Sequence, residues 1–273
     1  MKIAIIGTGN LGKSIAKGLI RTNGITTLYL TKRNLDDIKG FEGYKDVFLT
    51  TDNKEAVKNS DIIIFAVQPR HFGQILENLK YVLTKEHVII SVITGFSLGK
   101  IENVIGSKHF IIRAMPNTAI AVGKSMTCLC SNTNGEKRIK IAEAIFNRLG
   151  HTLAIPESQM QAATVVCASG IAFWMRLIRA TTQAAIQLGF DAKEAQELAM
   201  HTSEGAANLL ITNGDHPEEE IDRVTTPKGC TITGLNHMEI KGLSSSLIQG
   251  MVASFNKINN CKSNISQYHV NGN

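Results

Sequence analysis

The alternation of short apolar segments with helical segments across the first 156 residues is the feature that most limits how this chain can fold. Strands that are apolar along their length and alternate with helices are typical of an α/β unit whose parallel sheet is covered on both faces. Predicted helices lie between several of the strands, over residues 12–21, 54–59, 72–83, 97–105 and 136–149. Eight strands are predicted, over residues 2–7, 26–31, 47–51, 61–67, 87–94, 109–115, 125–130 and 151–156.

After the eighth strand the pattern changes to helices alone. Capping boxes at Ser158 and Asp191 open two helices, and a further helix is predicted from Thr231 toward Ile258, after a polar loop. We therefore divide the chain into an α/β domain over 1–156, a helical domain over 157–258 and an Asn/Ser-rich, flexible tail over 259–273.

The predicted helices of the second half are apolar over more than one face, as in the segments AATVVCASGIAFWM and LIQGMVASF. A helix that is apolar nearly all round needs neighbours on every side. We expect a homodimer formed through this half; a well-packed monomeric lobe is the alternative.

The charge pattern favours small anionic ligands over nucleic acid. The net charge is +6, but Lys and Arg are scattered and form no basic stripe interleaved with aromatic residues. No apolar run approaches the roughly 18 residues of a membrane span, and the first apolar segment runs into a glycine-rich turn, as a first strand does and a secretory signal does not. We expect neither a nucleic-acid nor a membrane partner.

The five cysteines form no CxxC pair, and none stands at metal-ligand spacing with a histidine. Cys128 and Cys130 alternate along one predicted strand and so share a face, as small buried residues do. We expect reduced thiols in a cytoplasmic protein and no bound metal.

A glycine-rich turn follows the first predicted strand. The segment Gly7-Thr8-Gly9-Asn10-Leu11-Gly12 fits the pattern GxGxxG, with a strand before it and a helical pattern after it. In this context the first glycine allows a tight turn, the second lets the backbone approach a pyrophosphate, and the third allows close packing of helix on strand. The sequence therefore predicts a Rossmann-type doubly wound sheet that binds a dinucleotide at its first helix.

The end of the second predicted strand indicates which dinucleotide is bound. NAD sites usually place an acid there for the ribose 2′-hydroxyl, but this chain has Thr31-Lys32-Arg33-Asn34 and no acid until Asp36. A hydroxyl at Thr31 and a guanidinium at Arg33 suit a 2′-phosphate, so we predict NADPH, with a solvated basic turn as the alternative.

Two further segments follow predicted strands at the edge where doubly wound sheets bind ligands. Both could equally be ordinary turns. Their residues are Ala66, Val67, Gln68 and Pro69 after the fourth strand, and Ile93, Thr94 and Gly95 after the fifth.

The segment VTTPKGCTITGL, residues 224–235, runs from a loop directly into a predicted helix. Free backbone N–H groups and hydroxyls crowd such a helix start, and that arrangement suits a carboxylate. The alternative is that Thr226 or Thr231 merely caps the helix.

Five segments together resemble the pyrroline-5-carboxylate reductase family: GTGNLG, MPNTAIAVG (115–123), SGIAF (169–173), SEGAANLL (203–210) and VTTPKGCTITGL. They stand in the family's order and spacing and cover the chain to about residue 258. The resemblance implies an NAD(P)H-dependent oxidoreductase of a C=N bond, which reduces 1-pyrroline-5-carboxylate to L-proline in the last step of proline biosynthesis. It also implies a helical dimerisation domain and often a pentamer of dimers, which is a decamer.

The resemblance implies roles for individual residues. Thr231 would lie beside the imine nitrogen, and Thr226 would supply a second hydroxyl to the reaction site. Asn53 would contact the adenosine side of the dinucleotide, and Asn117 would lie near the nicotinamide, which residues 66–69 and 93–95 flank. The pyrophosphate would be held by Ile6, Gly7, Thr8, Gly9, Asn10 and Leu11, and the substrate by Ser169, Gly229, Cys230 and Thr231.

Three positions depart from the family pattern. Lys228 stands where the family usually has Gly, Ile171 replaces the Pro of GSGPA, and Gln68 replaces a common Lys. These changes leave room for another cyclic imine as substrate, or for a non-catalytic NADPH-binding paralogue with a regulatory role. A β-hydroxyacid dehydrogenase is disfavoured because residues 169–183 contain no lysine.

Overall fold

A computed structural model describes the chain over residues 1–22 and 25–267. One strand forms at each of the eight predicted apolar segments, with ends that differ by a few residues. The strands are β1 (Lys2–Ile6), β2 (Thr27–Thr31), β3 (Val47–Thr50), β4 (Ile62–Phe65), β5 (Val88–Ser91), β6 (Phe110–Met115), β7 (Ser125–Ser131) and β8 (Gly150–Ala154).

The eight strands form one sheet in the order β3-β2-β1-β4-β5-β6-β7-β8. All neighbours are parallel except β6 and β7, which are antiparallel. The predicted parallel sheet is therefore confirmed over β1–β6, and β7 and β8 run in the opposite direction. Residues 116–124, which join β6 to β7, hold a short 3-10 turn, whereas a parallel return needs a crossover of about a dozen residues or more.

Helices cover both faces of this sheet, as the doubly wound prediction requires. Alternate residues of β1 point to opposite faces, with Ile3 and Ile5 in one apolar cluster and Ala4 and Ile6 in the other. The first cluster is closed by α1 and α5, and the second by α2, α3, α4 and α6. These helices are α1 (Asn10–Arg21), α2 (Asn53–Lys58), α3 (Pro69–Leu79), α4 (Leu98–Ile105), α5 (Ile139–Phe146) and α6 (Met160–Ala163).

The second half is helical, as predicted. The capping box at Asp191 is present: its carboxylate accepts from the N–H groups of Lys193 and Glu194 at 2.8 and 2.9 Å. Gly214, at φ +74°, ends the same helix. The helices are α7 (Gly170–Gln187), α8 (Ala192–Asn213), α9 (Pro217–Arg223), α10 (Cys230–Ile240) and α11 (Leu243–Gln267).

Three local predictions in this half are wrong. Ser158 does not open an α-helix, because a 3-10 turn over Glu157–Gln159 precedes α6 and a π-helical segment over Thr164–Ser169 precedes α7. The polar loop before residue 224 contains α9, begun by a proline at its first position. The last predicted helix is two helices, because Gly242 at φ +80° separates α10 from α11.

The compact units divide at a different place from the predicted domain border at 156/157. The first unit is Met1–Ser169 with the residues from Phe255 onward, and the second is Gly170–Ser254. The short helical elements before Gly170 belong to the first unit because Met160 and Ala163 complete its second apolar cluster. Helix α11 continues past the expected end at Ile258. The flexibility of the tail stays a prediction, and residues 268–273 lie outside the described residues.

The second unit exposes many large apolar side chains. Trp174 is 62% exposed and Ile240 80%, and α10 contains no buried residue. Within the described ranges, the continuous helical stretch Glu157–Gln187 is long and apolar enough to cross a membrane. The expectation that no apolar stretch has that length is therefore wrong for this helix, although helices at the core of soluble proteins have the same character.

Candidate active site

The turn between β1 and α1 needs glycine at two positions for internal reasons. Gly7 has φ +96°, and a Cβ there would clash with the Val67 side chain. A Cβ on Gly12 would clash with the carbonyl oxygen of Gly7. These two glycines hold the start of α1 close to the carboxyl end of β1 and beside the end of β4.

Gly9 is different, because no described atom beyond its chain neighbours and its own helix lies within 4 Å of the place where its Cβ would stand. Gly9 is also the N-cap of α1, and none of the described side chains caps this helix. Thr8 is fully buried, and its hydroxyl has no hydrogen-bond partner among the described residues. Free N–H groups, an unpaired hydroxyl and open space at Gly9 together fit a pyrophosphate.

Thr31, at the end of β2, holds the glycine-rich turn in place. Its hydroxyl accepts a hydrogen bond from the N–H of Gly7 at 3.2 Å, and its carbonyl oxygen accepts from the N–H of Thr8 at 2.9 Å. The side chain is buried, so the contact shown is with the turn itself. Its predicted role in binding a 2′-phosphate stays a prediction.

An open cleft of about 560 Å³ lies over this turn, at the carboxyl ends of β1, β2 and β4. The order of the strands reverses between β1 and β4, and doubly wound sheets bind ligands at that point. The cleft brings together nine of the predicted cofactor residues: Gly7, Thr8, Gly9, Thr31, Arg33, Asn53, Ala66, Val67 and Gln68.

Other predicted cofactor residues do not line the cleft. Ile6 is in the second apolar cluster, Leu11 packs against the first, and Asn10 begins α1 and is exposed. Pro69 is the first residue of α3 and has no N–H to donate. The predicted roles of these four residues in holding the dinucleotide stay predictions.

Eight residues that line the cleft, seven of them polar, are not among the predicted cofactor residues. Arg70 and His71 lie in the first turn of α3, directly after the end of β4, so their place after an apolar strand could have indicated them. The seven polar residues are Lys32, Asn34, Asp37, Thr51, Arg70, His71 and Gln74, and the apolar one is Ile75.

The two cations after β2 differ in their availability. The Lys32 ammonium lies 2.8 Å from the Asp37 carboxylate. The hydrogen bond from Lys32, and then its charge, hold the pKa of Asp37 below its usual value. Arg33 is exposed and has no ion-pair partner in the part of the chain that the structure describes. Arg33 is therefore the cation free to meet a phosphate here.

The residues after β5 and β6 are largely engaged with protein. Ile93 is buried, and the Thr94 hydroxyl points to the Met115 sulfur at 4.0 Å. The Asn117 amide accepts from the N–H of Ala119 at 2.9 Å and donates to the carbonyl oxygen of Cys167 at 3.1 Å. Asn117 therefore holds the turn after β6 against the segment that contains Cys167. Its nearness to a nicotinamide stays a prediction.

Gly95, at φ +83°, lines a second cavity of about 240 Å³ together with Arg113 and Glu157. The Arg113 side chain is 6% exposed and lies 2.9 Å from Glu157. The same carboxylate accepts from the N–H of Leu98, at the start of α4, at 2.6 Å. Arg113 cannot lose its proton, so its buried charge needs the Glu157 carboxylate as a partner. The pair therefore holds the residues after β8 against β6.

In the second unit, the loop over 224–229 leads into α10 as predicted. Gly229 is the N-cap, and no side chain in the described ranges caps the helix. The hydroxyl of Thr233 is bonded to the carbonyl oxygen of Gly229 at 3.0 Å. Thr226 and Thr231 have no side-chain hydrogen bond to any described residue, so the capping alternative is wrong for this structure. The helix start keeps its N–H groups and two hydroxyls free for a ligand.

Lys228, next to this helix start, has a left-handed backbone with φ +60°. Asp46 is the other non-glycine residue with positive φ in the described ranges. Lysine adopts this conformation with difficulty, which explains physically why glycine suits the position.

The doubly wound sheet and its glycine-rich cleft, followed by a helical unit, define a dinucleotide-dependent oxidoreductase. Residues 157–261 match the family model described as pyrroline-5-carboxylate reductase dimerisation, and residues 2–95 match the model described as NADP oxidoreductase coenzyme F420-dependent. The chain belongs to the pyrroline-5-carboxylate reductase family, since it is 39% identical to pyrroline-5-carboxylate reductase 2 of Dictyostelium discoideum over 96% of each chain.

Other relatives agree with this family. Pyrroline-5-carboxylate reductase 1 of Dictyostelium discoideum is 43% identical over 93% of this chain, which spans only about half of that relative, 49% of its length. The chain is similar to the crystal structure of pyrroline carboxylate reductase from Plasmodium falciparum with NADP bound, with a TM-score of 0.87 and 26% identity. The match covers 96% of this chain and 98% of the Plasmodium chain. The Coxiella burnetii enzyme has a TM-score of 0.85 and 30% identity, with 95% and 97% covered.

Proposed function

We propose that the protein reduces 1-pyrroline-5-carboxylate to L-proline with NADPH, or with NADH, in the last step of proline biosynthesis. The observation that carries this proposal is the start of α10, where the hydroxyls of Thr226 and Thr231 and the helical N–H groups have no partner among the described residues. A carboxylated ring that carries a C=N bond needs an anion site beside a hydrogen-bond donor, and this segment contains both.

The bound dinucleotide supplies the hydride that reduces the C=N carbon. The protein has to keep the imine nitrogen protonated or hydrogen-bonded, because an iminium accepts a hydride more readily. The Thr231 hydroxyl would donate to or orient a proton at that nitrogen, while the backbone N–H of Cys230 would bind the carboxylate. The N–H of Gly229 donates instead to the carbonyl oxygen of Thr226 at 2.9 Å, so Gly229 would contribute by its place at the helix start. A threonine hydroxyl is a poor acid, so positioning of the two reactants supplies much of the rate.

We also propose that NADPH is preferred over NADH. Arg33 is exposed at the end of β2 and is free of ion pairs within the described ranges. An unpaired guanidinium there would bind a ribose 2′-phosphate strongly. Asp37 does not oppose this, because its charge is paired with Lys32 at 2.8 Å.

We further propose a homodimer formed through the helical unit, with dimers joined into a decamer, and a cytoplasmic location. The apolar stretch Glu157–Gln187 lies in the part of the chain that matches the dimerisation family model. We assign its exposed apolar surface to contacts between copies of the chain, and not to lipid. Neither a nucleic-acid nor a membrane partner belongs to the proposal.

The direct test is Thr231→Ala, assayed by NADPH oxidation with 1-pyrroline-5-carboxylate. We expect kcat/KM to fall about tenfold or more, since a positioned hydrogen bond at the reacting nitrogen is worth about 1.4 kcal/mol or more. Thr231→Ser should keep most of the activity because it keeps the hydroxyl.

Thr233→Ala is the matched control. Thr233 lies on the same helix, but its hydroxyl is bonded to Gly229, so its loss should leave kcat/KM near the wild-type value. Equal activity of Thr231→Ala and Thr233→Ala would remove Thr231 from the reaction.

A second candidate is a reductase of another cyclic imine, favoured by Lys228, which puts a long cation beside the free helix start. A panel of cyclic imines assayed with both cofactors separates the two candidates by kcat/KM. A protein that binds NADPH but oxidises it with no imine of the panel would instead be the regulatory paralogue.

A further inference from the structure

Two cysteines of the first unit lie side by side although they are far apart in the sequence. Cys128 is on β7 and is 3% exposed, and Cys167 is in the π-helical segment Thr164–Ser169 and is half-buried. Their sulfur atoms are 3.8 Å apart. A disulfide has an S–S distance of about 2.05 Å, so a movement of roughly 1.8 Å would join the two sulfurs.

We propose that Cys128 and Cys167 are a reversible oxidation site, which forms a disulfide with a small-molecule disulfide such as oxidised glutathione and thereby displaces the segment Thr164–Ser169. The chemistry of the pair supports the direction of attack. The two sulfurs are within hydrogen-bond distance, and either thiol could be the donor. The hydrogen bond with Cys128 lowers the pKa of Cys167. The same hydrogen bond, with burial, raises the pKa of Cys128. Cys167 is also the more exposed of the two, so it is the attacking thiolate.

The reaction balances in two exchanges. The Cys167 thiolate attacks one sulfur of oxidised glutathione, which breaks the S–S bond and releases one glutathione. The Cys128 thiol then loses its proton and attacks the Cys167 sulfur, which releases the second glutathione. The two cysteines lose two electrons and two protons, and the two glutathione molecules carry them away.

The mobile partner of the pair is the π-helical segment. Cys128 lies in a strand paired on both sides, with Met115 opposite on β6 and Leu153 on β8, so its backbone is held by the sheet. A π-helical segment is an irregular turn within a helix and often marks a functional site. Closing the sulfur–sulfur gap therefore moves Cys167 toward the sheet.

This movement would displace Asn117 and Ser169, two residues that are predicted to lie near the reacting groups. The Cys167 carbonyl oxygen accepts the hydrogen bond of the Asn117 amide at 3.1 Å, and Ser169 follows two residues later. The consequence for activity rests on the proposed function, whereas formation of the disulfide does not. Because hydride transfer depends on position at the scale of about 1 Å, we expect oxidation to lower kcat/KM about threefold or more.

The experiment uses the whole chain, incubated in buffers of reduced and oxidised glutathione and digested without reduction. Mass spectrometry of the peptides should show a Cys128–Cys167 link in oxidising buffer, and dithiothreitol should abolish it. Cys130→Ser is the matched control, because Cys130 is also buried on β7, two residues from Cys128. It should keep the link, and Cys167→Ser should lose it.

The outcomes are distinct. Absence of the link, or a link between other cysteines in its place, overturns the oxidation site. A link that leaves kcat/KM unchanged overturns the displacement of the segment. If the reduced protein does not act on 1-pyrroline-5-carboxylate at all, the proposed function fails, and the peptide analysis still decides whether the oxidation site exists.

Discussion

At the scale of single residues, the strained and buried positions have the clearest consequences. Lys228 has φ +60° beside the free start of α10, and His87 is a buried histidine directly before β5. Lys228 already departs from the family pattern in the sequence, but its positive φ and the burial of His87 are visible only in the structure.

Lys228→Gly should stabilise the protein. A left-handed backbone costs an L-residue about 1–2 kcal/mol, and the greater freedom of glycine in the unfolded chain offsets part of this gain. We expect a net gain of about 0.5–1 kcal/mol, measured by urea unfolding at one fixed protein concentration.

Asp46→Gly is the comparison, because Asp46 has φ +66° in a loop of the α/β unit. Aspartate tolerates a left-handed backbone better than lysine does, so Asp46→Gly should raise the free energy of unfolding by less than Lys228→Gly does. A loss of stability in Lys228→Gly would show that Lys228 makes a contact that outweighs its strain.

His87 should make stability fall in mildly acidic solution. Burial lowers the pKa of His87 below 6.5, and its Nδ1 accepts a hydrogen bond from the N–H of Thr84 at 2.9 Å. As the pH falls through about 6.5, the unfolded chain binds a proton at this residue before the folded chain does, so the free energy of unfolding decreases. Above that pH His87 is neutral in both states and adds no pH dependence.

The measurement is the free energy of unfolding between about pH 7.5 and about pH 5.5, a range that spans the ordinary histidine pKa. His87→Gln should flatten the profile, and His151→Gln, at an exposed histidine on β8, should not. Equal slopes for wild type and His87→Gln would contradict the account.

Some residues of the site could be predicted from the sequence and others could not. Gly7, Gly9 and Gly12 follow from a local pattern, because a tight turn and close packing need only neighbouring residues. The engagement of Thr31 with Gly7, and of Asn117 with Cys167, depends on partners 24 and 50 residues away. Such distant partners cannot be identified from a local sequence pattern.

At the scale of elements, the pair between Arg113 and Glu157 joins β6, the start of α4 and the turn before α6. Glu157→Ala should reduce the free energy of unfolding by roughly 2–3 kcal/mol, because it leaves a buried guanidinium without its charge partner. We discount the usual cost of breaking a buried pair because the Glu157 side chain is 33% exposed.

The control is Glu143→Ala, which removes an ion pair with Lys140. The Lys140 side chain is 85% exposed, so its charge stays hydrated and the loss should cost about 0.5 kcal/mol or less. The double variant Arg113→Met with Glu157→Met should be more stable than Glu157→Ala, since it buries no unpaired charge. A double variant as unstable as the single one would show that shape, and not charge, sets the cost.

The existence of elements was predictable where periodicity is strong, as for the eight strands. The direction of the strands was harder to predict, because β7 is antiparallel to β6 only on account of the short connection between them. Two missed features had signals in the sequence. Pro217 followed by three glutamates is typical of a helix start, and Gly242 marks the break between α10 and α11. The π-helical segment had none, since its composition is that of an ordinary helix.

At the scale of the whole molecule, the protein is a homo-oligomer of the pyrroline-5-carboxylate reductase family, acting with NAD(P)H on a small molecule. Trp174 is the single tryptophan of the chain and is 62% exposed in one copy. We expect it to be covered in the proposed dimer. Its fluorescence should then be protected from acrylamide quenching at concentrations where light scattering gives a dimer or larger.

Dilution until the assembly dissociates should raise the quenching constant of Trp174 and shift its emission to the red. The transition should coincide with the loss of mass in light scattering. A freely quenched Trp174 in the intact assembly would contradict an interface that covers α7.

The most direct test of the central claim follows the hydride. The protein is incubated with 1-pyrroline-5-carboxylate and NADPH carrying deuterium at the transferable position, beside a parallel reaction with labelled NADH. We predict L-proline with one deuterium on the former C=N carbon, formed in equal amount to the NADPH oxidised and faster with NADPH than with NADH. NADPH oxidation without labelled proline, or no oxidation with this imine, would contradict the account.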